Sequence, residues 1–315
     1  MTHAFIFPGQ GAQSVGMGRD LAETYPQAKA VFDEVDDALG EKLSNLIWEG
    51  SAEDLTLTTN AQPALMATSL AGMAALKAEG VDVATASFVA GHSLGEYSAL
   101  CAAGAISLAD TARLLRTRGS AMQDAVPVGE GAMAAILGLD FDAVKAIADA
   151  VDGGVCQAAN DNDPAQVVIS GTKAAVEMAT ELAREKGAKR ALLLPVSAPF
   201  HCELMAPAAG VMANALDDVE ISEPHPPLVA NVNAHGVSSK TLIRNLLVDQ
   251  ITGSVRWRES VSWMYEQGVV SFVEVGAGKA LSGMVRRINK EATTMAVNKA
   301  DDVKTVAATL LEGNT

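Results

Sequence analysis

The segment Gly91-His92-Ser93-Leu94-Gly95 limits the fold of this chain more than any other. It stands between the apolar run Ala86-Ser87-Phe88-Val89-Ala90, which reads as a short buried strand, and a helical pattern over 96–103. G-x-S-x-G between a strand and a helix is the pattern of a nucleophile elbow, a strained, closely packed turn that needs glycine two residues either side of the serine. The serine then sits at a helix N-terminus, where the dipole and free N–H groups favour developing negative charge. A glycine-rich turn with a capping serine would show the same letters, and the flanking strand and helix favour the nucleophile. Such a turn belongs to a mostly parallel sheet covered by helices on both faces.

The rest of the chain fits that sheet. Ala4-Phe5-Ile6-Phe7 reads as a strand stopped by Pro8-Gly9-Gln10-Gly11, with helices expected over 20–39, over 63–78 after a break at Asn60-Ala61-Gln62-Pro63, and over 107–122. From residue 129 the rhythm changes: strand 132–139, helix 142–151, strands 155–159 and 166–170 around a turn at Asn160-Asp161-Asn162-Asp163-Pro164, helix 173–186, strand 189–196. That βαββαβ order is ferredoxin-like. A helix over 201–216, a strand over 228–232, two further helices and a strand over 271–275 then resume the larger domain. The expected fold is α/β: a hydrolase-like, mostly parallel sheet domain of residues 1–126 and 198–315, with a ferredoxin-like small domain, 127–197, inserted.

Composition removes several functions. Lys and Arg number 23 against 38 Asp and Glu, a net charge of −15, and aromatics are 4%, which argues against a phosphate-binding surface or base-stacking platform. Cys101, Cys156 and Cys202 are odd in number and isolated, as expected of a reduced compartment without disulfides or a zinc site. The first residues lack a basic stretch and break at Pro8, so no signal peptide is expected. The most apolar helical stretch, 64–76, is too short and too interrupted by Thr68, Ser69 and Gly72 to span a bilayer. A cytoplasmic enzyme that binds neither nucleic acid nor membrane is expected, as a monomer, with no metal and no tightly bound cofactor. Gly9-Gln10-Gly11 mimics a dinucleotide fingerprint but lacks the third glycine and a ribose acid; a loop whose amide faces a reacting centre fits better.

A nucleophilic serine needs a base. Of five histidines, His92 adjoins Ser93 on a tight turn and is expected to point away, while His3, His225 and His235 lie at the terminus or in turns and are expected to be solvated. His201 follows a strand and opens a helix, where catalytic residues gather in open α/β sheets. Cys202 lacks an elbow and is expected to pack as a small apolar residue. On the 107–122 helix, Arg118 falls on or beside the apolar stripe of Leu108, Ala112, Leu115, Gly119 and Met122. An inward arginine needs an anion, which is either a structural Asp or Glu or a substrate carboxylate.

The chain resembles the malonyl-CoA:acyl carrier protein transacylases, acyltransferases of bacterial fatty-acid synthesis, along nearly its whole length. The resemblance rests on Phe7-Pro8-Gly9-Gln10-Gly11, Gly91-His92-Ser93-Leu94-Gly95-Glu96-Tyr97, Thr117-Arg118-Gly119, Gln166-Val167-Val168-Ile169-Ser170-Gly171, Pro199-Phe200-His201-Cys202, Val255-Arg256-Trp257 and Glu274-Val275-Gly276. It implies a malonyl-ester nucleophile in Ser93, a general base and acid in His201, a malonyl-carboxylate holder in Arg118, backbone oxyanion donors in Gln10 and Leu94, and a histidine-orienting carbonyl at Gln250. It implies malonyl-CoA as substrate and acyl carrier protein as partner. Phe200, where the family often has a small residue, resembles the malonyl-selecting form of related polyketide acyltransferases. Asp163, Ala165 and Ala277 also depart from the family pattern, away from the implied catalytic groups.

Two other readings remain. A serine hydrolase would place an acid between serine and histidine in the chain; Asp161 and Asp163 occupy that interval but in the small domain. A non-catalytic carrier-binding module would not need Ser93, Arg118 and His201 together. Acyl carrier proteins are acidic as a family, so docking to a chain of net charge −15 calls for a local basic patch, with Lys189, Arg190, Arg286, Arg287 and Lys290 as candidates.

Overall fold

The computed structural model describes residues 2–196 and 198–313. Among these residues, ten strands, β1 His3–Phe7, β2 Phe88–Gly91, β3 Gly131–Leu137, β4 Cys156–Asp163, β5 Gln166–Thr172, β6 Arg190–Leu193, β7 Leu228–Val229, β8 Gly236–Val237, β9 Ser271–Val275 and β10 Thr293–Val297, form two sheets. The larger runs β10-β9-β1-β2-β7-β8 and is parallel except for the β7–β8 pair. Central β1 is buried at every position, as a parallel strand covered on both faces must be. The smaller sheet runs β4-β5-β3-β6, all antiparallel, and packs helices Phe141–Asp149 and Lys173–Glu185 over a core that includes Ile136, Val144, Ile169 and Val176.

Parallel register brings Phe7 of β1 opposite Gly91 of β2. The loop after β1 and the turn after β2 therefore leave the sheet side by side at its C-terminal edge, where open α/β sheets collect their ligands. Among the described residues, no helix is long and apolar enough to cross a membrane.

Several elements differ from expectation. The first long helix is two, Arg19–Thr24 and Pro26–Leu39, divided at extended Tyr25 because proline disfavours a helical residue before it. Conversely, helix Thr58–Ala78 runs through the expected break with Pro63 inside it. Proline there removes the N–H that would bond the Thr59 carbonyl, and Arg116 Nη1 donates to that oxygen instead, at 2.8 Å.

The polar run 160–163 is not a turn but the buried second half of β4, with irregular register against β5. Its side chains find partners on the large-sheet side: Arg258 Nε donates to both Asp161 oxygens at 3.0 and 2.9 Å, and Arg287 Nε to Asp163 Oδ2 at 2.6 Å. Asn162 Oδ1 meets His92 Nε2 at 2.8 Å. Buried charges are tolerated when paired in this way, which a scale of local hydrophobicity does not register. His3, expected to be solvated, is buried in β1. His201 opens no helix; it occupies a bend before the short turn Glu203–Met205 and helix Ala206–Asp217.

Candidate active site

Ser93 has φ of 54°, a left-handed conformation unusual for a residue with a side chain. The flanking glycines make the turn possible: a Cβ on Gly91 would collide with the backbone of Gly95, and one on Gly95 with the Phe7 carbonyl. Asn231, just past β7, clamps the turn, accepting from the Ser93 N–H at 2.8 Å and donating through Nδ2 to the Gly91 carbonyl at 2.7 Å. Helix Gly95–Ala102 begins immediately after, so Leu94 lies at its N-terminus.

Ser93 Oγ lies 2.8 Å from His201 Nε2, and His201 Nδ1 lies 2.9 Å from the Gln250 carbonyl oxygen. A carbonyl only accepts, so Nδ1 carries the proton and Nε2 presents its lone pair to the serine hydroxyl. Burial, reinforced by the Arg118 charge, pushes the His201 pKa down to about 3, and the ring is neutral at physiological pH. His201 shares the left-handed conformation, φ 58°; the geometry that aims the ring is held at the cost of backbone strain.

Arg118 is 1% exposed. Its guanidinium donates to Gln62 Oε1 at 2.7 Å, Gln250 Oε1 at 2.9 Å and Ser93 Oγ at 3.1 Å, and lies 5.7 Å from the Tyr97 ring centroid. These partners are neutral; no Asp or Glu pairs directly with it among the described residues, and Nε has no partner. A structural carboxylate in contact is thus not the anion that the sequence called for.

Gln10, Ser93, Leu94, Arg118, Phe200 and His201 all line one cavity of about 480 Å³, closed on its other side by residues of the small sheet such as Met133, Asn160 and Gln166. Gln250 lies behind it. Besides offering its carbonyl to His201, its side-chain amide joins Arg118, Glu96 and the Ser93 carbonyl, a role unforeseen from sequence. Gln62, Asn231 and Glu96 carry no sequence signal for their places here: Gln62 sits beside a proline that reads as a helix break, Asn231 in an ordinary-looking strand end, and Glu96 where a first-turn acid is commonplace.

The rival groups are otherwise engaged. His92 turns its Nε2 to Asn162, and burial lowers its pKa. Cys202 is fully buried with Sγ 3.1 Å from the Pro199 carbonyl, and burial raises its thiol pKa. His225 and His235 are exposed. Asp161 and Asp163 are bound to arginines, so neither backs His201 as a hydrolase acid would. Among the described residues no group of three or more His, Cys, Asp or Glu is placed to hold a metal ion.

The five basic candidates are exposed but do not form one cluster. Arg287 is bonded to Asp163 on β4, and Arg286 Nε donates to Thr294 Oγ1 at 2.9 Å. Asp163, Gln166, Leu137 and Arg190 form one row across the small sheet, which separates Arg190 on β6 from the Arg287 partner by three strand spacings, roughly 14 Å.

A serine hydroxyl hydrogen-bonded to a neutral histidine, beside a buried arginine in a cleft between two sheets, is an arrangement that can carry out acyl chemistry on an anionic substrate. The acyl transferase domain family matches residues 4–309. The malonyl CoA-acyl carrier protein transacylase of Bacillus subtilis (strain 168) is 50% identical over 313 residues, 99% of this chain and 98% of that protein. The crystal structure of the acyl-carrier-protein S-malonyltransferase from Bartonella henselae superposes with a TM-score of 0.96 at 55% identity, covering 98% of this chain and 99% of that one. A malonyl-transacylase solved in complex with its type II polyketide synthase acyl-carrier protein superposes with a TM-score of 0.95 at 42% identity, covering 98% of this chain and 100% of that one. The chain belongs to the acyl transferase domain family and, within it, to the malonyl CoA-acyl carrier protein transacylases.

Proposed function

We propose that this chain moves a malonyl group from malonyl-CoA to the phosphopantetheine thiol of an acyl carrier protein in fatty-acid synthesis, through a malonyl ester on Ser93. The observation that carries this reading is the run of contacts from Arg118 through Ser93 Oγ to His201 Nε2 and the Gln250 carbonyl. Ser93 Oγ attacks the thioester carbon while His201 Nε2 takes its proton, and the backbone N–H groups of Gln10 and Leu94 receive the oxyanion. Collapse breaks the C–S bond, and His201 returns the proton to the departing CoA sulfur. The carrier's thiol then attacks the ester, again giving its proton to His201, which passes it to Ser93 Oγ as that bond breaks.

Arg118 holds the free malonyl carboxylate by a two-pronged contact, which its fork of donors suits. Phe200, at the cavity wall, crowds an α-methyl branch. The histidine has an amide backing and no carboxylate, a Ser–His dyad. The small sheet is read as a ferredoxin-like insertion over 127–197 that closes the cleft, and the setting as cytoplasmic. The two separated basic pairs, with Lys290, are read as contact points for an acidic carrier.

Intact-mass measurement after brief exposure to malonyl-CoA tests the reading. A gain of one malonyl group is expected, mapping to Ser93 and absent in Ser93→Ala. No adduct, or an adduct on another residue, refutes it. Rapid loss of the adduct in water without a thiol acceptor would point to a hydrolase.

A further inference from the structure

Arg118 is a buried cation whose contacts are all neutral, and such a charge is costly without an anion close by. The buried carboxyl behind it belongs to Glu96, at 0% exposure in the first turn of helix Gly95–Ala102. Between them lies the Gln250 side-chain amide. Its Oε1 accepts from Arg118 Nη2 at 2.9 Å, and its Nε2 donates to Glu96 Oε2 at 2.9 Å. The amide dipole is thus oriented with oxygen toward the cation and NH2 toward the acid. The Asn231 backbone N–H donates to the same Oε2 at 2.9 Å, while Glu96 Oε1 is buried with no hydrogen-bond partner among the described residues.

We propose that Glu96 is the counter-charge of Arg118, relayed through the Gln250 amide, and that it takes up a proton from solvent when a substrate carboxylate settles on Arg118. The proposal rests on the carboxylate-binding role of Arg118 given above. Arg118 and ionised Glu96 together are neutral. A second carboxylate brings the cleft to −1 in surroundings of low dielectric, where uncompensated charge is expensive, and protonation of Glu96 restores neutrality. Burial already pushes its carboxyl up to about 7, against the opposing pull of the Asn231 and Gln250 hydrogen bonds and the Arg118 charge.

Burial shifts the other titratable groups packed around it, and the charged ones beyond are turned to solvent or paired. Burial pushes Tyr97 and Cys101, on the same helix, up to about 12, and His201 is held down at about 3. Burial also lowers the His92 pKa. Asp249, beside Gln250 on helix Lys240–Thr252, faces solvent, and Arg256, next to the Asn231 backbone, is paired with Glu259.

Proton uptake is measured by isothermal titration calorimetry at pH 7.5, in two buffers of different ionisation enthalpy, on Ser93→Ala protein, which binds without transferring. Malonyl-CoA is compared with acetyl-CoA, which has the same CoA but no free carboxylate. Malonyl-CoA is expected to draw in a substantial extra fraction of a proton, and its affinity to fall by up to about tenfold per pH unit as pH rises above 7. Glu96→Gln in the same background keeps an oxygen for Asn231 and Gln250 and is expected to lose both the extra uptake and the slope. Equal uptake with the two ligands, or a slope that survives in Glu96→Gln, overturns the proposal; the ligand comparison decides alone if that variant does not fold. If malonyl-CoA shows no Arg118-dependent advantage over acetyl-CoA, the carboxylate role of Arg118 fails instead, and the proposal with it.

Discussion

Replacing Arg118 by alanine removes a guanidinium that makes three hydrogen bonds, to Gln62, Gln250 and Ser93. Their loss loosens the site for every acyl group and lowers kcat/KM for malonyl-CoA and acetyl-CoA alike. A second loss falls on malonyl alone. A carboxylate held by two charge-assisted hydrogen bonds gains about 1.5–3 kcal/mol from each, and a buried carboxylate left without its cation costs about 3–5 kcal/mol. With Arg118 1% exposed, solvent does not replace what the guanidinium supplied. The ratio of malonyl to acetyl kcat/KM should therefore fall by roughly 10²–10³-fold, the lower range of that energy at 1.36 kcal/mol per decade. Steady-state CoA release to a fixed carrier protein or pantetheine acceptor measures both substrates in one assay. Arg118→Lys should recover part of the charge but not the fork, leaving the ratio between wild type and alanine. Equal losses for the two acyl groups in Arg118→Ala would refute the assignment, whatever the absolute drop.

Four further outcomes are expected. Because the His201 pKa is depressed to about 3, the base stays neutral as pH falls below 6.5, so kcat/KM for acetyl-CoA should show no acid limb between pH 6.5 and 5; a break near 6.5 that disappears with His201→Ala would contradict this. Gly95→Ala drives a methyl into the Phe7 carbonyl of a central strand, and urea denaturation should show a loss of about 1–3 kcal/mol or more, against no change if the packing argument is wrong. Arg116→Ala orphans the Thr59 carbonyl inside the proline-containing helix and should cost about 1–3 kcal/mol by the same measurement, an unchanged midpoint refuting the proposed compensation. Charge reversal at Arg190 and at Arg286, made separately, should each slow transfer to an acidic carrier and flatten its salt dependence while sparing acylation by malonyl-CoA; if neither does, the carrier docks elsewhere.

The elbow was legible because its glycines answer to contacts within five residues and one neighbouring strand. Arg118 was legible as an inward charge from helical spacing alone, though not the identity of what surrounds it. Legibility failed where a local signal is offset from far away in the chain. Pro63 reads as a break until Arg116 supplies the donor that the Thr59 carbonyl lacks. The run 160–163 reads as a turn until arginines 258 and 287 pair its acids. His201 stands apart from the other four histidines by its place after a strand, yet it lies in a bend whose positive φ has no signature in Pro199-Phe200-His201-Cys202. Resemblance supplied Gln250 as a carbonyl, while the work of its side chain required the three-dimensional neighbours.

Those neighbours explain why amides rather than acids surround the arginine. A carboxylate in direct contact with Arg118 would satisfy the buried charge, and it would also occupy the fork that an incoming substrate carboxylate needs. Displacing it would strand a buried anion at a cost of several kcal/mol. Gln62 and Gln250 orient the guanidinium through neutral oxygens, and the positive charge remains available to a ligand. Glu96 is set one residue further back, behind the Gln250 amide and not hydrogen-bonded to the guanidinium, and on the proposal above it offsets the charge from there. The same economy applies at His201, where a backbone carbonyl fixes the tautomer without adding a second anion beside the serine. On the proposed reading, a site that accepts a carboxylate next to its nucleophile gains from having, among the described residues, no fixed carboxylate side chain in contact with either.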